Sequence, residues 1–124
     1  MYLVDTNVFL EVLLKQDKSE QCKTFLNNNI SRLTLSDFSL HSIGVILFRK
    51  KNELTFQQFI TDVIPKINIA TLPTKHYSDL VQTRFGLDFD DAYQFYIAKT
   101  HHLKIVTMDN DFKKVQNEVG VIFL

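Results

Sequence analysis

Short apolar or β-branched runs alternate along the chain with longer stretches of helical periodicity. The short runs fall at 2–5, 31–35, 67–71, 103–107 and 120–123. Strand-length runs separated by helix-length segments predict βα units arranged around a parallel sheet. The first helix is expected to open near Thr6-Asn7, whose side chains can cap it, and to carry Val8, Leu10, Val12, Leu13 and Leu14 up to Lys15. Residues 19–28 read as a second helix. Ser36 follows a strand and precedes Phe38, Leu40, Ile43, Leu47 and Phe48, which predicts an N-cap and a helix to about Lys50, with Lys50-Lys51-Asn52-Glu53 as the polar break. A helix over 55–64 stops at Pro65. Pro73 opens another that Gly86 terminates, and Asp88 caps a last one running to about His101.

Composition narrows this picture. A chain of 124 residues suits a single domain, which at this size buries roughly two-thirds of its unfolded surface. The 14 Lys plus Arg balance 14 Asp plus Glu, so the broad basic field of a nonspecific nucleic-acid binder is lacking and any polyanion contact must be local. One cysteine, Cys22, allows no intrachain disulfide and suits a reducing compartment. The N-terminus reaches Asp5 after three apolar residues without the layout of a signal peptide. No stretch approaches the ~18 apolar residues of a membrane span, so a cytoplasmic location is expected, with no membrane partner. The 11 Phe, at helical spacings, read as core.

Three apolar runs end in acids: Tyr2-Leu3-Val4 in Asp5, the Gly86-Leu87-Asp88-Phe89-Asp90 segment in Asp91-Ala92, and Lys104-Ile105-Val106-Thr107 in Asp109. Carboxylates at strand ends and helix starts can converge on one point, where like charges demand a cation. Asp5 would end a first parallel strand, where ligands of open α/β sheets bind. With Thr6 and Asn7 free to cap the helix, Asp5 is available for such a role. Asp91, Phe95 and Ala98 share a stripe that should face the sheet, with no basic partner on it, whereas Asp90 aligns with Gln94 on a more polar side. Asp109 and Asp111 have the opening spacing of a calcium loop, but Phe112 and Lys113-Lys114 stand where further ligands belong, which excludes that reading.

Taken together, Val4-Asp5-Thr6-Asn7-Val8, Gly86-Leu87 with Asp91-Ala92, and Ile105-Val106-Thr107-Met108-Asp109-Asn110-Asp111-Phe112 resemble, in order and spacing, the PIN-domain family and its compact VapC-type toxins of prokaryotic toxin–antitoxin pairs. The resemblance spans nearly the whole chain. It implies a three-layer α/β/α domain with a central parallel sheet of about five strands, and a nuclease that cleaves RNA with Mg²⁺ or Mn²⁺. Carried over by motif, Asp5, Asp91 and Asp109 are the catalytic, metal-holding acids, Asp111 a further ligand, and Thr6 and Thr107 supports behind them. An antitoxin partner and a homodimer are implied in the same way.

One position departs from the family. A glutamate usual about six residues after a serine like Ser36 is here Ser42, beside His41. Glu11 or Asp37 could substitute for it, the site could work with fewer acids, or catalysis could be lost. The last possibility describes a noncatalytic PIN-like module that binds RNA or a protein partner. A structure-specific DNA nuclease is disfavoured because no arch or clamp segment is long enough. Hard oxygen ligands without a His/Cys set favour Mg²⁺ or Mn²⁺ over zinc. Arg49-Lys50-Lys51 or Lys113-Lys114 would meet the nucleic-acid backbone.

Overall fold

The computed structural model describes residues 1–82 and 85–124. Five short strands form one sheet: β1 (Tyr2–Val4), β2 (Leu33–Ser36), β3 (Asn68–Ala70), β4 (Lys104–Thr107) and β5 (Val121–Phe123). Their order is β3-β2-β1-β4-β5 and every pairing is parallel. The helices are α1 (Thr6–Leu13), α2 (Ser19–Asn28), α3 (Asp37–Arg49), α4 (Glu53–Asp62), α5 (Tyr77–Gln82) and α6 (Phe89–His101). This is the expected three-layer α/β/α arrangement around five parallel strands.

The layers follow from the two-residue period of the strands. Val4, Leu33, Leu35 and Val106 point into one core with Val8, Phe9, Leu26, Ile43, Leu47 and Phe59 of α1 to α4. Leu3 and Ile105 point to the opposite side and pack with Leu80 of α5 and Ala92, Phe95, Ile97 and Ala98 of α6. A sheet covered on both faces has strands apolar on both faces, which is why these runs are nearly continuous in hydrophobicity.

The order of strands reverses direction once. From β1 the chain moves outward through β2 to β3, then returns through α5 and α6 to place β4 on the other side of β1. The crevice at such a reversal, outside the carboxyl ends of the two strands, is where ligands of open parallel sheets bind. Asp5 follows β1 directly, and its amide donates to the Val106 carbonyl of β4 at 2.8 Å.

Most predicted boundaries agree with the elements to within two residues. Ser36 and Asp88 are the N-caps, accepting from the amides of Ser39 and Asp91. Three readings are corrected. Asp5, not Thr6 or Asn7, caps α1, because Thr6 is already helical and donates its own amide back to the Asp5 carboxylate. The segment opened by Pro73 begins as a 3-10 turn, Thr74–His76, before α5, and its predicted continuation through 83–84 lies outside the described residues. The Phe are not all core: Phe9, Phe59, Phe95 and Phe112 are buried, but Phe48, Phe85, Phe89 and Phe123 are exposed. Helical spacing places an aromatic on a helix face without fixing which face is covered.

Phe95, fully buried between the rings of Phe85 and Tyr96, is the largest anchor of α6. Urea unfolding of Phe95→Ala should show a loss of about 3–5 kcal/mol, whereas Ser36→Ala, which removes only a helix cap, should lose about 1 kcal/mol.

Candidate metal centre

Each acid is delivered by a local rule of the chain. Asp109 ends the extended segment after β4 and caps the 3-10 helix Asn110–Val115, its Oδ1 accepting from the Asp111 amide at 2.9 Å. That turn folds Asp111 back beside Asp109. Asp91 lies in the first turn of α6, started by Asp88. The outcome is that Asp91, Asp109 and Asp111 each bring a carboxylate oxygen within 4.8 Å of the others.

Asp5 stands beside this group rather than within it. It is 8 % exposed, and its two oxygens are already held: Oδ1 by the Thr6 amide and Oδ2 by the Thr107 hydroxyl, both at 2.8 Å. The same Thr107 oxygen accepts from the Asp109 amide at 2.9 Å. One buried hydroxyl therefore ties the carboxylate after β1 to the backbone after β4. Thr6 points its hydroxyl elsewhere, to Ser39 Oγ at 2.8 Å. Asn7 accepts from the Met108 amide at 3.3 Å and braces the same two chain segments.

The electrostatics match this crowding. Burial, and then the charges of Asp88, Asp5, Asp109 and Asp111, push the Asp91 carboxyl up to about 7. Burial also raises Asp5, with Asp109 adding to it, while the bonds from Thr107, Thr6 and Gln94 pull the other way. Carboxyls so placed are relieved by a cation. A donor set made only of carboxylate oxygens fits a hard divalent ion such as Mg²⁺ or Mn²⁺ rather than a soft one.

The candidates for a substitute acid lie apart from this group. Glu11 is buried and accepts from the Lys18 amide at 2.7 Å, which fixes the turn between α1 and α2. Asp37 accepts from its neighbour's amide and from the Tyr93 hydroxyl at 2.7 Å, and Tyr93 in turn accepts from the Leu72 amide. Ser42 is half-buried on α3, one helical turn beyond Ser39. His41 is exposed and lines an apolar groove between α3 and α4, together with Phe48 and Phe56.

Two residues beside the centre, Gln94 and Ser39, escape the sequence reading. Gln94, assigned to a polar side of α6, is 2 % exposed. Its Nε2 donates to Ser39 Oγ at 2.6 Å, and that oxygen also accepts from the Thr6 hydroxyl next to Asp5. The correction has a simple cause: α6 is buried on every side from Ala92 to Ala98, so periodicity could not single out a wet face. The available signal was a lone amide in an otherwise apolar stretch, three residues from Asp91.

Of the two basic runs, Lys113 and Lys114 belong to the same 3-10 helix as Asp111, and Lys114 donates to the Gly86 carbonyl at 3.2 Å. Arg49 is the last residue of the 13-residue α3, about 20 Å along its axis from the end that meets Thr6.

Comparison with known proteins places these features in a family. A search among curated proteins finds no match. Among solved structures, the chain resembles FitAcB from Neisseria gonorrhoeae with a TM-score of 0.82 at 22 % identity, covering 98 % of this chain and 96 % of that one. It resembles a toxin–antitoxin complex from Klebsiella pneumoniae at a TM-score of 0.76 and 18 % identity, covering 98 % and 96 %. A third likeness is to VapC20 of Mycobacterium tuberculosis, described as a sarcin-ricin loop cleaving toxin, at 0.74 and 15 %, covering 91 % and 93 %. The profile of the PIN domain matches residues 2–118, and the chain belongs to the PIN-domain family.

Proposed function

We propose that the protein is a divalent-metal-dependent endoribonuclease that hydrolyses RNA phosphodiesters as the toxin of a toxin–antitoxin pair. The observation that carries this reading is the meeting of the Asp91, Asp109 and Asp111 carboxylates at the reversal of strand order, with Asp5 beside them. Two of the similar structures, one described as a toxin–antitoxin complex and the other as a cleaving toxin, support the biological role and an antitoxin partner. A homodimer acting in the cytoplasm completes the proposal; among the described residues no helix is long and apolar enough to cross a membrane.

Asp91, Asp109 and Asp111 hold the Mg²⁺ or Mn²⁺ ion, and Asp5 completes the negative field around it. When bound, such an ion activates water for in-line attack and neutralises charge on the phosphate. Thr107 keeps Asp5 and Asp109 in fixed relation, so the acids need little rearrangement to accept the ion. Lys113 and Lys114, next to Asp111 in the chain, provide the local positive charge that a neutral protein needs to hold an RNA backbone.

A second reading, a noncatalytic PIN-like module, draws on one observation: position 42 of α3, where the family usually supplies a glutamate, holds the neutral Ser42. Isothermal titration with Mn²⁺ separates the two, since a module without an ion would give no binding heat.

Three outcomes follow. Changing a direct ligand should cost more than the ~10–100-fold of an outer partner, so Asp91→Asn should cut Mn²⁺-dependent cleavage of a looped RNA by at least that much. Cleavage by the wild-type protein that persists in a chelator would contradict the proposal. Asp91 must lose its proton to bind the ion, so Mn²⁺ affinity should rise about tenfold per pH unit below pH 7 and level off above it. Without metal the sign is opposite: a carboxyl raised above its unfolded value contributes stability that is lost as pH rises toward about 7, and Asp91→Asn should raise the Tm of the metal-free protein at pH 8. Finally, Ser42→Glu should strengthen Mn²⁺ binding roughly tenfold; unchanged affinity would mean that other groups already complete the centre.

A further inference from the structure

Between Ala92 and Ala98, α6 carries one side chain with no apolar rationale. Gln94 is 2 % exposed, and its neighbours Ala92, Tyr93, Phe95, Tyr96, Ile97 and Ala98 all pack into the core. For filling space, leucine or methionine would serve without burying an amide. The amide is also incompletely paired: Nε2 donates to Ser39 Oγ, but Oε1 has no hydrogen-bond partner among the described residues. A buried amide kept under such conditions is doing something that an apolar residue cannot.

Its surroundings indicate what that is. Ser39 Oγ also accepts from the Thr6 hydroxyl, so α1, α3 and α6 are pinned together at one hydroxyl next to Asp5. Thr6 in turn donates its amide to the Asp5 carboxylate at 2.8 Å, so Gln94 is tied to Asp5 through Ser39 and Thr6. Both groups that hold the Asp5 carboxylate directly are neutral: the Thr6 amide and the Thr107 hydroxyl. A lysine or arginine would hold the carboxylate more strongly, but it would cancel the negative charge that attracts a cation. A neutral donor fixes the carboxylate and leaves its charge available.

We infer that Gln94 is a positioning residue of the metal centre, its amide fixing the Ser39 hydroxyl that holds Thr6 and, through Thr6, the Asp5 carboxylate. The inference rests on the reading of Asp5 as part of that centre. It also gives α3 a part in the site without an acid at position 42: the helix contributes Ser39, through Thr6, to the placement of the Asp5 carboxylate.

The test is Mn²⁺ titration calorimetry on the full chain, with thermal melting of the metal-free protein in parallel, for wild type, Gln94→Met, Asp5→Asn and the double variant. Gln94→Met should weaken Mn²⁺ binding by about tenfold or more. Its Tm should be kept or raised, because the unpaired carbonyl is gone; a purely structural tether would instead lower Tm and leave the affinity alone. In the Asp5→Asn background, Gln94→Met should change the remaining affinity by less than about twofold, since the two act as one unit. Wild-type affinity in Gln94→Met beside a weakened Asp5→Asn would overturn this inference alone. No Mn²⁺ binding by the wild type would sink the metal-centre reading and this inference with it, whereas an Asp5→Asn that binds normally would overturn this inference and the part given to Asp5 while leaving Asp91, Asp109 and Asp111 as the ligands. Should Gln94→Met fail to fold, Ser39→Ala removes the anchor of the amide instead; a several-fold loss of affinity supports the inference and an unchanged affinity overturns it.

Discussion

The hydroxyl of Thr107 is the joint on which the site depends. It donates to the carboxylate that follows β1 and accepts from the amide of the acid that follows β4. Two segments 102 positions apart in the chain are thereby set in register by one oxygen that solvent does not reach. Three of the four acids in the crevice inherit their position from this joint: Asp5 is held by it, Asp109 starts from it, and Asp111 is turned back by Asp109, while Asp91 is delivered by α6. Because the joint is buried, its geometry is not eroded by competition with water.

Around it the protein concentrates like charge in a place that low dielectric makes costly. Asp91 bears part of that cost, with burial as the largest cause and four neighbouring acids adding to it. Elsewhere in the fold, carboxylates are matched to ordinary structural tasks: Glu11 closes a turn and Asp37 orders a tyrosine. The contrast separates acids that serve the fold from acids that oppose it. Only the second kind calls for a cation.

Much of this was legible in the chain itself. Strands and helices were readable because a doubly covered sheet leaves short apolar runs, and because Ser36 and Asp88 are strong caps directly ahead of periodic segments. The three acidic motifs were readable because each ends such a run. What could not be read was use in three dimensions. Asp5 both caps α1 and faces the crevice, two roles that local chemistry presents as alternatives. Gln94 looked wet because its neighbours in the helical net were polar, while the packing of α6 against the sheet left no wet side there. The exposed Phe48 of α3, Phe89 of α6 and Phe123 of β5 likewise depend on which faces of these elements lack a cover, which periodicity does not encode.

The topology also has a consequence for biosynthesis. The strand that brings Asp109 and Asp111 to the crevice is inserted next to the first strand made, and it comes after α1 to α6 in chain order. A nascent polypeptide emerging from the ribosome can fold β1, β2 and β3 with their helices and still possess no complete set of acids. Until translation has passed residue 111, the growing chain therefore lacks the full set of crevice acids, whatever part of the sheet has already formed.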